Sequence, residues 1–246
     1  MTAEEHAQPQ RQKSLWERLD RPAPAPRASL SPRQIADAAV RIADAEGLTA
    51  VTMRRLATEL GVAPMAAYRY VSGKDELLEL MIDRVYVDAD LFGDATGWRE
   101  TLRALALGTR QLVLAHPWLG QLASPRASVA LTPGRFAVLE RALTSLDGLG
   151  LDPDTMHAVF VTVSSFTLGQ AYAEVAMRQL MAAEGWASGD DVRGALAPQM
   201  TYLMNTGKYP TYRKVLQGSA RKDDPLWQFE TGLDCVLDGI AARTGI

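Results

Sequence analysis

Apolar positions recur at three- and four-residue intervals along most of the chain. No stretch of useful length alternates apolar with polar residues, so the pattern predicts an all-α protein. Ahead of the first stripe, Arg21-Pro-Ala-Pro-Ala-Pro-Arg27 removes backbone donors and favours extended geometry, and residues 1–30 read as a flexible tail. Ser31-Pro32-Arg33-Gln34 then offers a cap residue, a proline at the first helical position and a glutamine at the third, which is how a capping box starts a helix. Ile35, Ala38, Ala39 and Ile42 supply its apolar stripe, and Gly47 ends it after Glu46.

Thr52 caps a second helix over 53–60 that breaks at Gly61, and a third begins at Ala63 or Pro64 and reaches Tyr70. Ser72-Gly73-Lys74-Asp75 opens a fourth, carrying Leu77, Leu80 and Met81. Longer helices are predicted over 98–115, 133–149, 153–183 and 224–244, while 185–198 and 205–210 read as loops. The longest apolar run, from Ala158 to Tyr172, is broken by Thr162, Ser164, Ser165, Thr167 and Gln170 and is too short to cross a bilayer, so it reads as a buried helix.

Two short helices joined through Gly61 have the geometry of a helix-turn-helix over 52–71, in which the second helix lies in the major groove. On that helix Ala67 and Val71 are four apart and, with Val62, face Leu56 and Leu60. Pro64, Met65, Tyr68 and Arg69 are left on the other side. Pro64 and Met65 suit thymine methyls, Arg69 suits a guanine edge or a phosphate, and Tyr68 and Tyr70 are placed for phosphates. Helix starts at Thr52-Met53-Arg54 and at Lys74 flank the element and supply amides suited to phosphate. From spacing alone a helical hairpin with exposed aromatics at a subunit contact stays open.

Composition adjusts this picture. Hydrophobic residues make up 47% of 246, enough for a substantial core, and the net charge is -3. Residues 1–74 hold 11 Lys and Arg against 8 Asp and Glu, so the acidic surplus lies in the remainder. Cys235 is the only cysteine, so no intramolecular disulfide can form and no cysteine cluster offers metal-ligand spacing; a reducing cytoplasm fits. Met1 to Ser14 lacks the apolar core of a signal peptide. Without a GxSxG, P-loop, HExxH or dinucleotide fingerprint, no enzyme activity and no cofactor are expected.

Ile35-Ala-Asp-Ala-Ala39, Ala45-Glu-Gly-Leu48, Thr52-Met-Arg-Arg-Leu-Ala57, Leu60-Gly-Val62, and Tyr68-Arg-Tyr-Val71 through Lys74-Asp-Glu-Leu-Leu78 together resemble the N-terminal domain of the TetR family over residues 31–82. The resemblance implies a DNA-binding domain at 31–76, a helical ligand-binding and dimerisation domain at 77–246, and a homodimer on a palindromic double-stranded operator. By position it marks Thr52, Met53, Arg54, Pro64, Met65, Ala66, Tyr68, Arg69, Tyr70 and Lys74 as DNA contacts.

Arg135 to Leu149 followed by Phe166-Thr-Leu-Gly169 resembles the C-terminal domain of the tetracycline repressor branch. This implies that the helices over 153–183 and 224–244 form a four-helix bundle with their copies, with Phe160, Phe166, Leu168, Leu233, Val236 and Leu237 as apolar faces or as core. That branch holds tetracycline as a magnesium chelate through histidines. Of His6, His116 and His157 none matches those positions, so no metal is expected. His116 reads as a helix-end residue and His157 as a satisfied interior histidine. Leu112, Trp118, Phe136, Met156, Phe160, Tyr172, Met177, Tyr202 and Met204 are candidates for a pocket taking a small apolar or amphipathic effector, and each is also ordinary core material. The expected mechanism is repression relieved when the effector alters the spacing of the two reading heads. A helical protein-interaction module is the alternative, and activation stays open. The arm from Arg11 to Arg27 reads as a plain tail or as a minor-groove contact.

Overall fold

The computed structural model describes residues 14–20, 30–122 and 130–246; the arm ahead of residue 14 and the whole proline-rich run from Arg21 to Arg27 lie outside them. Within the described residues the chain is helical, with no strand. The helices are α1 (Leu15–Leu19), α2 (Pro32–Glu46), α3 (Met53–Leu60), α4 (Pro64–Ala67), α5 (Lys74–Asp88), α6 (Gly97–Ala115), α7 (Pro133–Thr144), α8 (Pro153–Glu184), α9 (Gly189–Asn205), α10 (Pro210–Gly218) and α11 (Pro225–Thr244). Short 3-10 turns occupy Leu48–Ala50 and Pro117–Gln121.

One compact unit comprises the described residues up to Val87 with those of Leu122–Arg135; the other comprises Asp88–Gln121 and Phe136–Ile246. In the first, Ser31 caps α2 by accepting from the Gln34 amide at 3.2 Å while the Gln34 side chain accepts from the Ser31 amide at 2.8 Å. Ile35, Ala38, Ala39 and Ile42 are buried as the stripe requires, joined by Leu56, Val71, Leu77, Met81 and Ile82. Removing each larger one from water stabilises the unit by about 1.5–3 kcal/mol. The first unit takes in α5 as far as Val87, a continuous helix whose buried residues run from Leu77 to Val85.

The tail reading fails at residues 14–20. A five-residue helix cannot hold alone in water, yet α1 forms there, closed by a capping box between Ser14 and Glu17 and seated by buried Leu15.

The second unit is built on α8, against which α6 and α11 pack. Val159, Val163, Thr167, Ala171 and Val175 form its buried stripe at four-residue spacing. Phe166 packs against Phe229 of α11, with ring centres 5.5 Å apart and planes tilted by 41°. Ion pairs from Arg99 to Asp238 and from Arg103 to Asp234 tie α6 to α11.

Three expectations change here, and one left open is decided. The run from Ala158 to Tyr172 is buried on one stripe only, since Val161, Ser165 and Gln170 are exposed. Leu233 and Leu237 are fully buried within the single chain and so are core, one of the two readings their stripe allowed. Residues 189–198 are helical and not a loop: Ser188 caps α9 by accepting from the Asp191 amide, and Pro198 is carried inside the helix. The helix expected to reach residue 149 stops at Thr144 and gives way to turns.

Candidate nucleic-acid interface

Thr52 stops the 3-10 turn and starts α3, its hydroxyl accepting from the Arg55 amide at 3.1 Å. Such a cap contributes about 1 kcal/mol. Gly61 ends α3 with φ +65, a left-handed conformation that glycine adopts without a Cβ penalty. The amides of Gly61 and Val62 then close on the carbonyls of Thr58 and Ala57, at 3.2 and 3.0 Å. This turn sets the angle at which α4 leaves α3.

Helix α4 is one turn of α-helix, extended by the bond from the Tyr70 amide to the Ala67 carbonyl at 3.0 Å. Ala67 and Val71 are fully buried, as is Leu56 of α3, so the inward face is the expected one; Leu60 and Val62 are only half-buried. The opposite face is open. Pro64 and Arg69 are exposed, Met65 keeps 71% of its surface and Tyr68 44%, and Ala66 and Tyr70 lie between. A methionine left this bare on a one-turn helix contributes nothing to the core.

The basic residues divide by what they touch. Arg55 is tied to Glu46 at 2.7 Å and to Glu59 at 2.9 Å, carboxylates that hold its guanidinium above the ordinary range. Among the described residues, Arg54, Arg69 and Lys74 form no ion pair, and all three are exposed. Arg54 and Lys74 stand in the first turns of α3 and α5, where unpaired amides add partial positive charge. Thr52, Arg54, Lys74 and the outward residues of α4 therefore give one stretch of the unit exposed positive charge and exposed apolar surface, with Arg54, Arg69 and Lys74 in no ion pair among the described residues.

The sequence does not foretell what holds the turn between α4 and α5. Glu76 accepts from the Ser72 amide at 2.6 Å and takes both arms of Arg18, at 3.0 and 2.6 Å. Only the Glu at the third position of α5 hinted at the first contact.

The candidate effector residues occupy different environments in the second unit. Leu112 and Trp118 are core; Met156, Phe160, Tyr172 and Met204 are half-buried; Phe136, Met177 and Tyr202 face solvent. Tyr172 lies against Gly120, next to Trp118, where a Cβ on Gly120 would come within 3.2 Å of its ring. Tyr202 lines an open cleft of about 490 Å³ with Pro198, Gln199 and Leu203. His116 ends α6, its amide bonded to the Leu112 carbonyl at 2.9 Å. His157 is exposed on the first turns of α8, not interior, because the buried stripe passes through Val159 and leaves residue 157 on the outer side. Among the described residues no helix is long and apolar enough to cross a membrane, and no cluster of three or more His, Cys, Asp or Glu is disposed to hold a metal.

Residues 35–81 match the family model described as bacterial regulatory proteins, tetR family, and residues 93–244 match the tetracyclin repressor-like C-terminal domain. The chain is 36% identical over 231 residues to the HTH-type transcriptional repressor DrrR1 of Streptomyces coeruleorubidus, covering 92% of this chain and 83% of that protein. It is 27% identical over 158 residues to the class E tetracycline repressor protein of Escherichia coli, covering 62% of this chain and 72% of that one. The crystal structure of the Streptomyces coelicolor TetR family protein ActR in complex with actinorhodin superposes with a TM-score of 0.70 at 27% identity, covering 88% of this chain and 97% of that chain.

Proposed function

This chain belongs to the TetR family of bacterial transcriptional regulators, and from that premise we propose that its reading surface is the outward face of α4, clamped between phosphate contacts at the starts of α3 and α5. One observation carries the assignment: Arg54, Arg69 and Lys74 are exposed and unpaired while neighbouring Arg55 is consumed by two carboxylates. Pro64, Met65 and Ala66 meet base edges and thymine methyls, Arg69 meets a guanine edge, and Thr52, Met53, Arg54, Tyr68, Tyr70 and Lys74 fix the register on the backbone.

The protein works as a homodimer on a palindromic operator with half-sites about one helical turn, roughly 34–36 Å, apart. Unused apolar surface in the second unit supports the dimer: α8 exposes Val161, and α9 and α10 bury no residue while exposing Leu196, Tyr202, Tyr212 and Val215. A small apolar or amphipathic molecule bound to that unit alters the separation of the reading heads and releases repression. Leu112, Trp118, Tyr172, Met156 and Phe160, which lie on α6, on α8 or in the turn after α6, are the first residues to test for that ligand, and Phe136, Met177 and Tyr202 become part of a closed site only when something covers them. The protein operates in the cytoplasm, where its DNA is.

Selection of bound fragments from a random duplex library at about physiological salt tests the reading. Enrichment of an inverted repeat is expected. No enrichment, with binding lost at moderate salt, refutes it and favours a protein-interaction module.

A further inference from the structure

Helix α1 reaches back across 58 residues of sequence to the start of α5. Leu15 is 3% exposed, and the guanidinium of Arg18 grips Glu76 with both arms, Nη1 to Oε1 at 3.0 Å and Nη2 to Oε2 at 2.6 Å. The same Oε2 accepts the Ser72 amide at 2.6 Å. A single carboxylate therefore joins α1, the turn that follows α4, and the first turn of α5. The helix stays docked although the indole Nε1 of Trp16 is buried without a partner among the described residues, so the contacts of Leu15 and Arg18 outweigh that loss.

We propose that Arg18 is a positioning residue for DNA binding: by clamping Glu76 it fixes the Ser72–Lys74 turn and neutralises one of the two carboxylates in the first turn of α5. The inference rests on the DNA-reading assignment of the preceding section. Its physical basis is electrostatic and geometric. A negative group in the first turn of a helix competes with a phosphate for the same amides and partial charge. Arg18 offsets that competition without leaving the protein's own surface. Its planar fork holds both oxygens, so Ser72 and Lys74 keep one geometry relative to α4. Both arms of Arg18 engage Glu76, which assigns it to positioning, and the salt slope separates that role from a phosphate contact.

The test compares wild type, Arg18→Met, Arg18→Lys, Glu76→Gln and the double Arg18→Met/Glu76→Gln protein, each binding the selected operator across a salt series. Arg18→Met is expected to weaken binding by roughly three- to tenfold at fixed salt, with the slope of log affinity against log salt unchanged. Arg18→Lys, which keeps the charge but not the fork, recovers part of the loss and remains folded if the methionine variant does not. The double variant loses no more than Arg18→Met alone, since the unneutralised carboxylate is gone. Unchanged affinity in Arg18→Met overturns the proposal. A slope lowered by about 0.9 also overturns it, because that is the signature of a lost phosphate contact. A wild-type protein that selects no duplex refutes the DNA-reading assignment itself, whereas a wild type that binds alongside an equally tight Arg18→Met refutes only the positioning role.

Discussion

Arg110 and Glu174 meet inside the second unit, Nη2 and Oε2 2.6 Å apart, with 9% and 10% of their side chains exposed. Arg110 Nε donates to the same oxygen at 3.0 Å, Arg178 donates to the other at 2.7 Å, and the Arg110 guanidinium lies 5.5 Å from the ring centre of Phe229. The pair joins α6 to α8 beneath an aromatic ring of α11. Burying two charges is costly, and their mutual attraction offsets the cost only while both are present. Glu174→Ala should destabilise the protein by about 3–5 kcal/mol, whereas Arg110→Met with Glu174→Leu should come out near neutral. Denaturant unfolding of the two variants checks this. A cost below about 1 kcal/mol for Glu174→Ala would mean that the pair behaves as a solvated one.

Adjacent arginines 54 and 55 should separate cleanly. Arg54→Ala is expected to weaken binding alike on specific and random duplexes and to lower the salt slope by about 0.9, with little change in melting temperature. Arg55→Ala should leave the slope alone and change stability little, since its pairs with Glu46 and Glu59 lie at the surface. Arg69→Ala should cost about 1–3 kcal/mol on the operator but less on random DNA if it reads a base. Equal loss on both would assign it to phosphate.

Part of this was legible in advance because it is local. Ser31, Thr52 and Gly61 announce helix ends through their own chemistry, and the stripe of Ile35, Ala39 and Ile42 needs no partner to be recognised. What escaped notice depends on groups remote in sequence. Helix α1 holds through Glu76, and a proline-rich surrounding hides it. Nothing in the dipeptide Arg54-Arg55 says which residue faces Glu46. The stretch 189–198 read as a loop, yet α9 carries Gly194 and Pro198 inside it. Leu233 and Leu237 sit on a stripe that fits core and dimer face equally; only packing against α8 decides.

Acid should report on the α1 clasp. Burial alone would push the Glu76 carboxyl up, but the Arg18 guanidinium and the Ser72 amide outweigh it and hold the group below its ordinary 4.5. The unfolded chain therefore takes up this proton first. The stabilisation is complete above the ordinary carboxylate range and disappears as pH falls through the lower, folded value. Glu76→Gln should lose stability at neutral pH and show a shallower decline in acid. Unfolding free energy measured from pH 3 to 7 for both proteins decides, and parallel curves would show that Glu76 titrates alike folded and unfolded.

Two glycines inside helices should respond with opposite sign. A Cβ at Gly232 of α11 would come within 2.8 Å of the Phe166 ring, which is already packed against Phe229. Gly232→Ala should therefore be destabilising, an overpacking cost of about 1–3 kcal/mol exceeding the gain of about 1 kcal/mol in helix propensity. Gly194 of α9 has nothing within 4 Å, so Gly194→Ala should realise the propensity gain. Melting temperatures of the two variants, one down and one up, are the expected outcome.

Helices α9 and α10 bury none of their residues within the chain. Their backbone amides are guarded by helical hydrogen bonds alone, and opening them exposes no core. Local opening in that stretch is therefore decoupled from global unfolding. A lone protomer would exchange these amide protons, and yield to a protease there, far sooner than at α6 or α8, so the time the stretch survives becomes a clock for how long each chain spends unassociated.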